Sequence, residues 1–259
     1  MADVNFTRSG AVATLTLSRS QKLNALTLEM HRLIFENLAK FRADASLKVL
    51  VLTGTGRAFC AGDDMKESDP RDGAVLPEDE KEIAWHNMIR AMRGTPKPII
   101  AAVNGLACGA GSGLVLGSDI RIASESARFA DIFIQRGIPG GACLLTHAVG
   151  TAKALELIFT GDFIDAAECH RLGIFNRVVK AEQLMPEVMS LAERLAQGPT
   201  ESIGLSKLAV YQAALLPLNE ALRTEELAKL CGLRSKEVRE GIAAFNDKRQ
   251  ARFEANERA

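Results

Sequence analysis

A chain of 259 residues that is 47% hydrophobic and 25% charged can bury a substantial core, as one large domain or as a core with an appendage. Its 32 basic and 32 acidic residues cancel, which argues against a general nucleic-acid or membrane-surface binder but leaves room for a local basic cluster to grip phosphate. No apolar run reaches the ~18 residues of a membrane helix, the N-terminus lacks the blocks of a signal peptide, and the scattered cysteines (60, 108, 143, 169 and 231) fit free thiols in a reducing cytoplasm.

Residues 4–17 alternate apolar and polar side chains around Ser9-Gly10, the pattern of a β-hairpin. Leu26, Met30, Leu33, Ile34, Leu38 and Phe41 recur at helical spacing behind Thr27, a cap candidate. The apolar run 49–53 predicts a strand and leads into Ala58-Phe59-Cys60-Ala61-Gly62-Asp63-Asp64. Residues 68–77 are charged and rich in turn formers, so they read as a mobile loop. A helix over 80–93 ends before Thr95-Pro96-Lys97-Pro98, because proline disfavours helix in the residue ahead of it. The strand 99–103 feeds a second glycine-rich segment, Asn104-Gly105-Leu106-Ala107-Cys108-Gly109-Ala110-Gly111-Ser112-Gly113, and a helix beginning near Gly111. Short strands follow at 120–123 and 128–129, then helix, helix and strand at 152–159, 166–172 and 177–179.

From 184 onward only helical periodicity remains, including 221–230 and 238–245. The pattern is an α/β body (1–195) with a helical tail (196–259), whose apolar stripes imply subunit association. Both glycine segments follow strands and consist of residues small enough to bring main-chain N–H groups against a ligand. Two such segments facing each other could aim two donors at one oxygen, the layout of an oxyanion hole.

On Leu23-Asn24-Ala25-Leu26, both glycine segments, Lys97-Pro98-Ile99-Ile100-Ala101-Ala102-Val103-Asn104-Gly105, Ser118-Asp119-Ile120-Arg121-Ile122-Ala123, Ala127-Arg128-Phe129, Thr160-Gly161-Asp162 and Lys248-Arg249, the chain resembles the crotonase superfamily, the enoyl-CoA hydratase/isomerase fold. The resemblance runs from about residue 4 to residue 253. It implies a spiral of β-β-α repeats with a C-terminal helical trimerisation region, assembled as a homotrimer or a dimer of trimers. The implied substrate is an acyl-CoA thioester. Coenzyme A is then part of the substrate, and neither a separate cofactor nor a metal is expected. Carried over by position, the oxyanion donors are the backbone N–H groups of Asp63 and Ala110. Alanine stands at 110 where the family often has glycine, and it keeps the N–H. Main chain around Asn24-Ala25 and Ala61-Gly62 would line the coenzyme channel, with Asp64, Met65, Gly109 and Phe133 among further substrate-contacting candidates. Lys22, Arg57, Lys66 and Lys248 are candidates for the phosphates.

The chain departs from the family where protons move. Hydratases of the family use two glutamates; a gap-free count from Asp119 places Gly113 and Phe133 at those positions. Neither can exchange a proton, so hydration by the usual route should be very weak. The stretch 137–141 is about three residues short and holds no acid. Two acid/base candidates remain. His86 lies on the helix 80–93, where a dehalogenase branch of the family carries a functional histidine; that branch's nucleophilic aspartate near Gly141 is missing. Asp131 shares a strand face with Phe129 if the strand continues, and a small bend would aim it into the pocket.

Asp63 is expected to turn its carboxylate outward, and Cys60 and Cys143 are read as packing residues. Phe129, Phe133 and Ile134 suit an apolar acyl pocket or simple core packing equally. The leading reading is an enzyme that stabilises a thioester enolate for isomerisation, hydrolysis or another reaction; the alternative is a non-catalytic acyl-CoA-binding paralogue. A dinucleotide site is disfavoured because Gly109, Gly111 and Gly113 miss the G-x-G-x-x-G order, and a serine hydrolase because Ser112 lacks the G-x-S-x-G frame.

Overall fold

The computed structural model describes residues 3–66 and 85–253, so the predicted loop at 68–77 and the start of the predicted helix at 80–93 lie outside the described residues. β1 (Val4–Ser9) and β2 (Val12–Leu17) form the expected hairpin, with Val4 opposite Leu17. β2 then pairs in parallel with β3 (Val49–Gly54), β3 with β5 (Ile99–Val103), β5 with β7 (Ile120–Ser124) and β7 with β10 (Arg177–Val179), giving a six-stranded sheet. A second sheet of four short strands has the order β4 (Ala58–Cys60), β6 (Leu106–Cys108), β8 (Arg128–Ala130) and β9 (Ile164–Asp165).

The chain therefore adds one strand to the large sheet, one to the small sheet, and then a helix. β3 and β4 precede α2 (Trp85–Gly94), β5 and β6 precede α3 (Ala110–Gly117), and β7 and β8 precede α4 (Ala142–Val149). This is the β-β-α spiral that the resemblance implies.

The large-sheet strands read as unbroken apolar runs because both faces are covered. Leu50, Leu52, Ile99, Ala101 and Val103 join the main core with Met30, Ile34, Leu38 and Phe41 of α1 (Leu28–Ala43). The alternate residues Val49, Val51, Ile100, Ala102 and Ile122 pack against Leu184, Val188 and Ala192 of α7 (Leu184–Ala196). Each fully buried aliphatic side chain contributes roughly 1.5–3 kcal/mol. Thr27 caps α1 as expected, its hydroxyl accepting from the Met30 N–H.

After α5 (Thr151–Thr160) and α6 (Ala166–Arg171), the tail supplies α8 (Thr200–Ala213), α9 (Leu218–Gly232) and α10 (Lys236–Asn246). Glu237 ties α10 to the start of α8 by accepting from the Glu201 and Ser202 amides, both at 3.0 Å. Many of the tail's apolar side chains remain uncovered, with Leu218 73% and Phe245 83% exposed. Among the described residues no helix is long and apolar enough to cross a membrane.

Candidate active site

The two glycine segments meet where the small sheet hands over to α3. Asp63 forms a parallel bridge with Leu26: the Leu26 N–H donates to the Gly62 carbonyl and the Asp64 N–H to the Leu26 carbonyl, both at 2.8 Å. That pattern turns the N–H of Asp63 itself to the opposite side. Ala110 is the first residue of α3, whose orphan first-turn amides have no intrahelical acceptor. Among the described residues, neither the Asp63 nor the Ala110 main-chain N–H has an acceptor. Gly62 (φ 98°) and Gly109 (φ 57°) occupy backbone conformations that L side chains rarely adopt. A Cβ added to Gly62 would lie 3.5 Å from the Ala110 nitrogen, so the two donor-bearing peptides are in contact. α3 can begin so close because position 111 is glycine; a Cβ there would fall on the Cys60 carbonyl oxygen.

The surroundings of the two amides are heavily pinned. The Gly62 N–H reaches Cys60 Sγ at 3.4 Å, and Cys108 Sγ donates to the Ala61 carbonyl at 3.3 Å. Burial raises both thiols, Cys108 to about 11, so they remain protonated packing groups. Asp64 pairs with Arg19 at 2.6 Å, a contact that holds its carboxyl below the usual range. Arg19 also donates to the Ala25 carbonyl at 3.1 Å. The fully buried Asn24, at φ 56°, donates to the Thr55 and Ala58 carbonyls and accepts from the Arg19 amide. Its side chain thus belongs to the loop, leaving only main chain of Asn24 for a ligand. The Asp63 carboxylate is held by His31 Nε2 at 2.7 Å. Sequence reasoning missed His31: nothing local marks it, since its partner lies on a loop two elements away.

Asp131 is 2% exposed. β8 stops at Ala130, whose carbonyl accepts from the Gly109 N–H at 3.3 Å, so Asp131 emerges directly beside the residue that caps α3. Residues Phe133–Arg136 then form a 3₁₀ turn. The strand-face argument for Asp131 therefore fails, because no strand continues through it. The side chain is instead directed inward by the end of the strand. Its carboxylate lies where a Cβ of Gly141 would be, at the start of α4. Neither carboxylate oxygen has a hydrogen-bond partner of good geometry among the described residues. Burial pushes its pKa up to about 6, against a smaller opposing pull from the Phe133 main-chain N–H.

The other candidates sit as follows. His86 is exposed at the start of α2. Phe133 is half-buried with its ring over Gly140, Phe129 is in the core, Ile134 is exposed, and Gly113 is buried within α3. Lys22, Arg57, Met65, Lys66 and Lys248 are exposed. Lys22 lies close enough to Asp64 to help lower its pKa. Cys143, read as packing, is exposed on α4, because the helix turns its second residue away from the Leu145 contact that enters the core.

Comparison with known proteins adds to this geometry. The family model described as enoyl-CoA hydratase/isomerase matches residues 7–256. A 1,2-epoxyphenylacetyl-CoA isomerase of Escherichia coli K12 is 40% identical over 248 residues, covering 93% of this chain and 94% of that protein. A crotonyl-CoA hydratase of Syntrophomonas wolfei is 31% identical, covering 93% and 94%. The solved structure of an enoyl-CoA hydratase from Bacillus anthracis superposes with a TM-score of 0.89 at 30% identity, covering 98% of this chain and 100% of that one.

Proposed function

The chain belongs to the enoyl-CoA hydratase/isomerase family, and from that premise we propose that it isomerises an acyl-CoA thioester by a proton shuttle on Asp131. The thioester carbonyl oxygen is received by the Asp63 and Ala110 amides, with the positive end of α3 behind the second. Each donor in a dry site is worth roughly 3 kcal/mol to a developing enolate. Asp131 removes a proton from the carbon next to the carbonyl, the electron pair delocalises onto the thioester oxygen, and the protonated acid returns its proton further along the conjugated chain. One carboxyl group suffices for this, since the proton removed is the proton returned.

Hydration would need a second group to hold and deprotonate water, and on the gap-free count Gly113 and Phe133 occupy both glutamate positions. The observation that carries the reading is the state of Asp131: buried, without a hydrogen bond of good geometry among the described residues, and raised to about 6, close enough to neutrality to act as base and then as acid. The 1,2-epoxyphenylacetyl-CoA relative being an isomerase supports the same class. Uncovered apolar side chains on α9 and α10 support subunit association, for which the family resemblance implies a trimer or a dimer of trimers.

The test is a matched pair of assays on 3-enoyl-CoA and 2-enoyl-CoA esters of several chain lengths, with binding followed by calorimetry. Isomerisation of the first and little hydration of the second is the expected result. Fast hydration, with Asp131→Asn retaining it, would place the chemistry on other groups. Tight binding of every ester with no turnover would make the protein a non-catalytic acyl-CoA binder.

A further inference from the structure

The opposite end of α3 carries a second concave site. α3 spans about 12 Å from Ala110 to Gly117, so this end is remote from the two free amides. Here a cavity of about 370 Å³ opens between the ends of α2 and α3, the start of β7, α4 and α8. Its polar lining comprises Ser118 and the larger side chains of Arg93, Asp119, Arg121, His147, Lys207 and Tyr211.

Part of that lining is fully committed. Asp119 accepts from the Ile99 amide and the Tyr211 hydroxyl, both at 2.7 Å, and pairs with Lys207 at 2.9 Å. The Lys207 ammonium also donates to the Met92 and Lys97 carbonyls, at 2.9 and 3.0 Å. The two arginines are in a different state. Among the described residues the Arg121 guanidinium has no hydrogen bond or ion pair, and its Nε is buried without an acceptor. Arg93 Nε is likewise buried and unpartnered. One terminal nitrogen of Arg93 reaches the Leu116 carbonyl at 3.3 Å, and its plane lies 4.6 Å from the Tyr211 ring centre. Burial lowers the Arg121 pKa and the charge of Arg93 adds to that, against opposing pulls from Tyr211 and Asp119.

Two cations that repel each other across a cavity, with donor atoms withdrawn from water and no acceptor, are costly as they stand. Asp119 is the one acid in the lining and is already paired with Lys207, so an anion between the arginines supplies the missing acceptors and the rest of the countercharge. We propose that this cavity binds a small organic anion, a phosphate or carboxylate group on a short apolar body, held by Arg93 and Arg121. The planar guanidinium fork matches either head group in a bidentate manner. Stacking on Tyr211 fixes the plane of Arg93 in advance. Leu144, Ala148 and Val210 supply an apolar wall for the body, and the volume is that of a small-molecule pocket. Nothing in this inference depends on the acyl-CoA reading, because no residue is shared between the two sites.

The experiment is calorimetric titration of the intact protein with inorganic phosphate, butyrate and hexanoate at matched ionic strength. Arg121→Met, Arg93→Met and Arg121→Lys are titrated beside it, and thermal melts confirm that each is folded. The wild type should bind phosphate or the carboxylates, hexanoate more tightly than butyrate, and each Met variant should weaken binding at least tenfold. Arg121→Lys, which keeps the charge and loses the fork, should recover only part. The head group preferred by the wild type identifies the ligand's source. Anion binding that survives both Met variants belongs to basic residues elsewhere and overturns the proposal. So does a wild type that binds neither head group at millimolar concentration. A lower sedimentation mass for Arg121→Met with no anion response in the wild type would assign the cavity to an acidic side chain of a second copy, which also overturns it.

Discussion

Asp119 enters the β7–β8 unit and Asp131 leaves it, and the two carboxylates end in opposite states. Asp119 collects an amide, a phenol and an ammonium, so three elements (β5, α8 and its own strand) are fastened through one ion. Asp131 is withdrawn from water as well, yet it collects no hydrogen bond of good geometry among the described residues. A carboxylate with three donors converts its charge into position. One buried without a hydrogen bond of good geometry is driven toward its neutral form and costs stability, which a protein tolerates where protons are exchanged. On the proposed function, the difference separates a structural acid from a chemical one.

The comparison can be broken at either acid. Asp119→Ala should be the more damaging to the fold, by about 3–5 kcal/mol, because it strands the buried Lys207 ammonium beside two carbonyls. A urea midpoint lowered by less than the equivalent of ~1 kcal/mol would show that the ion pair is solvated after all. Asp131→Asn should leave the melting temperature unchanged or higher. Isomerisation should nevertheless fall by about 10²–10³, or roughly 3–4 kcal/mol of transition-state stabilisation. Ester binding should persist. An asparagine variant that is inactive only because it fails to bind the ester would reduce Asp131 to a wall of the pocket.

The pH dependence sharpens the same contrast. Asp131 sits at about 6 in the folded protein, above its unfolded value of about 3.9. Folding therefore favours the protonated acid: the contribution is complete below about pH 4 and is lost as pH rises through about 6. Relative to Asp131→Asn, the wild type should lose roughly 2–3 kcal/mol of stability across that window. Activity should show an acidic limb near pH 6 that reports the base becoming ionised. A stability difference that stays flat from pH 4 to pH 7 would mean the carboxylate is hydrated in solution.

How much of this was legible before any coordinates depended on where each stabilising interaction comes from. The long strands and α1 announce themselves through apolar runs and a capping threonine, which are local. β4 and β6 escape, because each is three residues long and is held by partners distant in sequence, β4 by β6 and β6 by β4 and β8. α4 escapes too: glycine precedes it, and it has no side-chain cap to signal its start. That two glycine segments would meet was readable from residue size, since Gly62 and Gly109 bring the peptides together, whereas the choice of Asp63 and Ala110 as donors came from the family resemblance. Asp131 was legible as an acid near a strand end, but its inward aim comes from the strand stopping, which no periodicity encodes. The arginine pair at the far end of α3 was not legible, because Arg93 and Arg121 become neighbours only when α2 and β7 meet around that helix.

Between the two extremes stands Asp63, with one side-chain partner among the described residues, His31 at 2.7 Å. Its carboxylate belongs to the same residue as a proposed oxyanion donor, so a swing toward that side would set a negative charge against the developing enolate. On that proposal the contact from α1 serves to hold it away. His31→Gln should therefore have the smallest effect of the series: a stability loss below ~1 kcal/mol, as for a partly exposed pair. A fall of about 3–10-fold in kcat should accompany it, with KM nearly unchanged, a shift of roughly 1 kcal/mol in the barrier. Asp63→Asn, which removes the charge and keeps the amide, should restore that loss in the double variant. If His31→Gln left kcat untouched, or the double variant failed to recover it, the clamp would be a fold contact alone and Asp63 would join Asp119 on the structural side of the comparison.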